Sequence, residues 1–227
     1  MKKIKIGLHG ASGKIGKVIA KEIKNHNLYQ LVGEYSLENS NNIEKFIADS
    51  EVIIDFSTAL ATEILLSKIN NNVIKLVIGT TGLNKKQTNL LTNLSKKIPI
   101  LYSSNMSIGA NLISLILQKF NYLIKKIGFD VSILDIHNKE KKDAPSGTAL
   151  MFAQDLNITQ DKCNSIRLSD TIATHQIWFA KKFEELIIKH HVTDRKAFAI
   201  GALLAAKWIY NKKAGLYNMH DFLGWHM

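Results

Sequence analysis

The chain has 227 residues, 46% of them hydrophobic, and a formal net charge of +11. That length can bury one large core or two smaller ones. No run of about 18 apolar residues predicts a membrane-spanning helix, and a lone cysteine, Cys163, excludes an intramolecular disulfide framework. The positive charge sits on 28 lysines and two arginines, Arg167 and Arg195, spread along the chain without interleaved aromatics. This pattern points away from nucleic acid and suits the steering of small anions.

Ile4, Ile6 and Leu8 alternate with Lys3, Lys5 and Gly7, which predicts a strand. The basic start leads into that strand rather than into the apolar stretch of a signal peptide, so a cytoplasmic protein is expected. Gly10, Gly13 and Gly16 follow, and then a helical apolar pattern at Ile15, Val18, Ile19 and Ile23. Strand, glycine turn and helix form the context of a dinucleotide site. Gly10 suits the tight turn, Gly13 the approach of a pyrophosphate, and Gly16 close packing of the helix.

A second strand is predicted over residues 29–35. An acidic residue at its end would hold the adenosine ribose. Glu34 and Glu38 are nearby, while Ser36 at the terminal position suits a 2′-phosphate, so the choice between NADH and NADPH stays open. Further strands are predicted over 51–57, 75–82 and 98–105, with a helix over 59–69. In a parallel sheet, ligands lie beyond the carboxyl ends of the strands, which is where Thr80, Thr81, Ser104 and Asn105 fall. Ordinary turn chemistry also accounts for these residues.

The pattern changes near residue 107. A long helix over 110–126 precedes a strand over 130–136, a helix beginning at Pro145, and strands over 165–168, 175–180 and 185–190. A small-residue helix over 198–210 is expected to pack back on the first domain. The expected fold class is α/β. A Rossmann-like dinucleotide-binding domain spans 1–107 and 196–227, and a central α+β substrate-binding domain with a mostly antiparallel sheet spans 108–195.

The segment from Lys141 to Leu150, with His137 upstream, carries the second candidate site. Ser146, Gly147 and Thr148 stand at a predicted helix N-terminus, where partial positive charge collects. Lys139, Lys141 and Lys142 add full charges, and His137 can exchange a proton near neutral pH. A small carboxylate substrate suits this set, as does an ordinary capped helix after a basic loop. No His, Cys or Asp spacing predicts a metal site.

Taken together, the segments 10–16, 54–57, 79–82, 104–109 and 141–150, with Arg195, 198–202 and 215–217, resemble the 4-hydroxy-tetrahydrodipicolinate reductase (dihydrodipicolinate reductase) family over nearly the whole chain. That resemblance implies a nicotinamide-dependent oxidoreductase of the diaminopimelate and lysine pathway, assembled as a homotetramer. It implies that Gly10, Ala11, Ser12, Gly13, Lys14, Ile15 and Gly16 line the NADH or NADPH, together with Gly79, Thr80, Thr81, Ser103, Ser104, Asn105 and Met106. It implies His137 as proton donor with Lys141 beside it. Asn138, Lys141, Ser146, Gly147 and Thr148 would hold a dicarboxylate substrate, and Arg195 would help shape its cavity. The chain departs from the family pattern where a second histidine is replaced by Asn138. It departs again at Ser169 and Ala173, where the family carries glycines; a need for positive φ there would force the turn to be rebuilt. A reductase of another imine or semialdehyde, and a non-catalytic NAD(P)-binding regulator, are the alternative classes.

Overall fold

The computed structural model of the chain describes residues 2–36, 42–70 and 73–224. In chain order the elements are β1 (Ile4–His9), α1 (Lys14–Lys24), β2 (Tyr29–Tyr35), α2 (Ile43–Asp49), β3 (Val52–Asp55), α3 (Ala59–Lys68), β4 (Lys75–Ile78), α4 (Lys85–Ser95) and β5 (Pro99–Tyr102). Then come α5 (Ile108–Ile127), β6 (Asp130–His137), α6 (Gly147–Asp155), β7 (Cys163–Arg167), β8 (Ala173–Lys181) and β9 (Glu184–Val192). The chain ends with α7 (Lys196–Ile209), β10 (Gly215–Tyr217) and α8 (Met219–Phe222). It divides into two compact units, Met1–Met106 with Lys196–Met227, and Ser107–Arg195.

The first unit is built on a six-stranded parallel sheet in the order β10-β5-β4-β3-β1-β2. Its inner strands are short apolar runs, such as Val52-Ile53-Ile54 and Leu76-Val77-Ile78, with every one of these side chains buried. Continuous apolar runs are what a parallel sheet covered on both faces requires. Phe46, Leu65 and Leu91 from the helices pack against Ile53, Leu76 and Ile100 in one core cluster. The order reverses between β1 and β3, which makes a switch point where ligands bind in such sheets. Helix α7 belongs to this unit and approaches so closely that a Cβ at Gly201 would fall on the carbonyl of Met106.

The second unit carries a four-stranded sheet in the order β7-β6-β8-β9. It is mixed. The β6–β8 and β8–β9 pairings are antiparallel, but β7 runs parallel to β6. The reason is the connection. The chain leaves β6, passes through α6 and returns as β7, and such a crossover yields a parallel neighbour. Ile133, Ile177 and Phe179 face Ala110, Ile113 and Leu117 of α5 and Ala149 and Phe152 of α6.

Helix α6 begins at Gly147 rather than at Pro145. Ser146 is its N-cap and accepts the amide of Ala149, so the proline stands outside the helix, after a cis Ala144–Pro145 bond.

Candidate active site

In the first unit, the glycine loop joins β1 to α1. Gly10 adopts φ +82, and a Cβ there would stand 2.4 Å from the carbonyl oxygen of Phe56. A Cβ at Gly16 would stand 2.1 Å from the carbonyl oxygen of Gly10. The loop is therefore pinned between β3 and the first turn of α1, whose N-cap, Gly13, supplies no side-chain cap. An uncapped helix N-terminus favours an anion. Gly10, Ser12 and Gly13 line a cavity of about 240 Å³ with Ser36, Phe56, Ser57, Thr58 and Ala61. These residues fit the phosphates and ribose of a dinucleotide. Ala11, Lys14, Ile15 and Gly16 belong to the same loop and first turn, outside that lining.

Of the ribose candidates, Ser36 is buried and lines the cavity, whereas Glu34 is exposed. Glu38 lies outside the described residues. Gly79, Thr80 and Thr81 follow β4, and Ser103, Ser104, Asn105 and Met106 follow β5, on neighbouring strands. Several of these residues are already occupied. The Thr80 hydroxyl donates to Asp55 and the Ser103 hydroxyl to the carbonyl of Asn105, while Met106 is core. Thr81 and Ser104 are exposed.

Beneath this loop lies a buried anion. Asp55 accepts the Ser57 hydroxyl at 2.6 Å, the Thr62 hydroxyl at 2.5 Å and the Thr80 hydroxyl at 3.1 Å, and stands 3.1 Å from His9 Nδ1. Burial pushes its carboxyl up, but His9 and these donors outweigh burial and hold it below the ordinary carboxylate range.

In the second unit, alternation along β6 turns Ile133, Asp135 and His137 inward. Asp135 accepts the Ser146 amide at 2.9 Å and the Ser146 hydroxyl at 2.8 Å. The Ser165 hydroxyl lies at 3.2 Å and the Arg167 guanidinium at 3.5 Å. His137 Nδ1 stands 2.8 Å away and His175 Nε2 3.4 Å. Burial works against this charge too, but the two histidines and Ser146 overcome it and hold the carboxyl far below its usual range. His175 is itself pushed down by burial, despite the nearby carboxylate, and is neutral near pH 7.

These three residues bring ligand-type atoms within 4.8 Å of one another. The guanidinium and the hydrogen-bond donors already on Asp135 oppose a cation there and suit proton handling instead. Arg167 also donates to the carbonyls of Lys141 and Asp143, fastening the loop that carries Lys141. Lys141 Nζ lies 2.9 Å from Asp143, whose carboxyl is held below its usual range by that ammonium against the opposing effect of burial.

The sequence-derived substrate residues are brought onto one loop and helix start, with different roles. Ser146 spends its amide and hydroxyl on Asp135 and does not offer them to an anion in this geometry. Asn138 accepts the Glu140 amide and folds the loop. Gly147 and Thr148 form the first turn of α6. Arg195 ends the second unit. Asp135, Arg167 and His175 were not singled out from sequence for this site. An acid two residues before His137, in a strand otherwise apolar on that face, is the signal that marks Asp135.

The parallel sheet and the glycine loop at its switch point give the first of the two units the Rossmann-like architecture of dinucleotide-binding proteins. The family models described as "Dihydrodipicolinate reductase, N-terminus" and "Dihydrodipicolinate reductase, C-terminus" match residues 4–106 and 109–223, and the chain belongs to that family. Relatives named 4-hydroxy-tetrahydrodipicolinate reductase include one from Rickettsia bellii, 38% identical over 96% of this chain and 94% of its own, and one from Campylobacter jejuni, 35% identical over 97% and 99%. A dipicolinate-bound dihydrodipicolinate reductase from Paenisporosarcina sp. TG-14 shares the fold with a TM-score of 0.76, at 23% identity over 97% of this chain and 99% of that one.

Proposed function

We propose that this chain reduces 4-hydroxy-2,3,4,5-tetrahydrodipicolinate to tetrahydrodipicolinate with NADH or NADPH, the oxidoreductase step for which its relatives are named, in diaminopimelate and lysine biosynthesis. The net reaction adds a hydride and a proton and releases water. A bound nicotinamide supplies the hydride. Gly10, Ser12 and Gly13 hold the pyrophosphate at the start of α1, and Ser36 meets the ribose. Among the described residues no carboxylate lines that cavity, and that lining is compatible with either cofactor.

The observation that carries the reading is one carboxylate with two duties. Asp135 holds His137 at 2.8 Å and also seats the N-terminus of α6 through Ser146. The proton donor and the anion-binding end of a helix are therefore built on a single anchor. Loss of water between the 4-hydroxyl and a neighbouring C–H leaves a double bond conjugated with the imine. With hydride added at the carbon that bore the hydroxyl, His137 would protonate the neighbouring carbon, and the Lys141 ammonium would stabilise the negative charge that develops. Gly147, Thr148 and Lys141 hold the substrate carboxylates, with Asn138 and Arg195 at the margins of the site.

A homotetramer assembled through the sheet of the second unit accompanies this reading. It is supported by the large apolar side chains that this sheet leaves exposed, Ile166, Leu186 and Ile187. Among the described residues, no helix is long and apolar enough to cross a membrane.

The test follows absorbance at 340 nm (the reduced-nicotinamide band), with substrate made in situ by dihydrodipicolinate synthase. Synthase-dependent oxidation that falls about a hundredfold or more in His137→Gln, with cofactor binding retained, is expected. Folded wild-type protein that binds either cofactor but oxidises neither would overturn the assignment.

A further inference from the structure

We infer that Asp135 is a positioning residue for the proton donor. It fixes the proton of neutral His137 on Nδ1, so that Nε2 is the atom that exchanges protons with substrate. The inference rests on His137 acting as the acid.

An ionised carboxylate accepts hydrogen bonds and donates none. Set 2.8 Å from Nδ1, Asp135 stabilises the tautomer with hydrogen on that nitrogen. The carboxylate is in turn held by groups that do not depend on His137. Ser146 gives it an amide and a hydroxyl from the start of α6, and Ser165 a hydroxyl from β7. Removing the proton from Nδ1 would leave an acceptor facing a buried anion. The contact with His137 is short but bent, and Nδ1 has no aligned hydrogen-bond partner. Catalytic hydrogen bonds often straighten when substrate binds.

The other charged or titratable groups around His137 do not set its tautomer. His175 of β8 meets it edge to ring at 5.2 Å and is kept neutral by burial. Arg167 lies beside it in register on β7 and directs its guanidinium to Asp135 and to the loop carbonyls. Lys141 and Asp143, on the loop that follows β6, pair with each other. Asp135 is thus the one carboxylate placed against Nδ1 among the described residues.

Two measurements test this. The first uses the unmodified protein: long-range ¹⁵N–¹H spectra of the histidine rings, with the His137 signals identified by their loss in His137→Gln. In the neutral ring the proton is expected on Nδ1, and a neutral ring protonated on Nε2 overturns the proposal. The second is Asp135→Asn. Its kcat/KM should fall about a hundredfold, and the alkaline limb of its pH profile should move to lower pH. NADPH affinity should hold, and Asp135→Glu should restore the limb. Lower activity with an unmoved profile would mean that Asp135 only supports the fold, and the inference fails. If Asp135→Asn does not fold, the wild-type spectrum and Asp135→Glu still decide. His137→Gln with full turnover would instead sink the assignment of the acid itself, a different result from an inactive His137→Gln beside an unmoved Asp135→Asn profile.

Discussion

Replacing Gly16 by alanine should damage cofactor binding far more than the same change at Gly13, three residues earlier in the loop. A Cβ at Gly16 would stand 2.1 Å from the carbonyl oxygen of Gly10 and 2.9 Å from the Cα of Ala11. Both are backbone atoms and cannot swing aside. Real Cβ atoms essentially never come within 3.0 Å of another heavy atom, so the first contact is short by 0.9 Å. Helix α1 must retreat from the loop, or the loop from the helix. At Gly13 the nearest atom is 3.2 Å away, and a few tenths of an ångström suffice. Overpacking of this kind costs about 1–3 kcal/mol. At about 1.4 kcal/mol per factor of ten, that cost, taken from the loop proposed to grip the pyrophosphate, should weaken NADPH binding about 5-fold to 140-fold. Titration of NADPH fluorescence, with thermal unfolding alongside, measures both consequences. Gly13→Ala should stay within about threefold of wild type. Wild-type affinity together with wild-type Tm in Gly16→Ala would refute the steric argument.

Three further outcomes are expected. Ser169 holds φ +42 without being glycine, so Ser169→Gly should raise stability by about 0.5–1 kcal/mol, read as a higher urea midpoint; a lower midpoint counts against strain at that turn. Ser36→Asp should place a carboxylate against the 2′-phosphate and cut the NADPH-to-NADH ratio of kcat/KM about tenfold, and an unchanged ratio would show that Ser36 does not meet the ribose. Burial pushes His190 down to about 4, and electrostatic interaction with the neighbouring His175 and His191 adds to the effect. Between its unfolded value near 6.5 and that folded value the unfolded chain binds the extra proton, so stability is lost as pH falls through this window. Urea midpoints at pH 7 and pH 5 should differ by less in His190→Gln than in wild type; equal differences would remove His190 from the account.

The parallel sheet was legible because its inner strands β3 and β4 are short apolar runs and β1 alternates, and the loop because Gly10, Gly13 and Gly16 stand between a strand and a helical pattern. Helix α4 escaped notice although its start is marked. Asn84 and Gln87 form a capping box, three residues apart, but the helix behind them is mostly polar and its apolar stripe is short. Helix α2 is only seven residues long and β10 only three, too short for periodicity to register. The parallel placement of β7 was hidden because its burial follows no clean alternation. At the site, His137 and the segment from Lys141 to Thr148 were legible as residue types. The division of labour among them was not, because a local pattern cannot show that Ser146 turns back toward a strand residue eleven positions earlier.

That turn of Ser146 has a counterpart in the first unit, and the two together explain why each unit buries a charge. An unpaired buried carboxylate is costly and would shift its pKa upward until it neutralised. Asp55 and Asp135 instead remain ionised, each beside a histidine and under several short hydroxyl or amide contacts. In both cases the donors come from different elements that must meet at the end of a strand. Asp55 gathers His9 at the end of β1, Ser57 and Thr62 at the start of α3, and Thr80 after β4. Asp135 gathers β6, β7, β8 and the N-cap of α6. Hydrophobic packing would hold these segments at the same depth, but it is not directional. A carboxylate with fixed lone-pair directions sets the angle at which they meet, and angle is what the proposed pyrophosphate loop and proton donor require. Replacing either aspartate by leucine should therefore cost ligand binding or turnover beyond what it costs in folding.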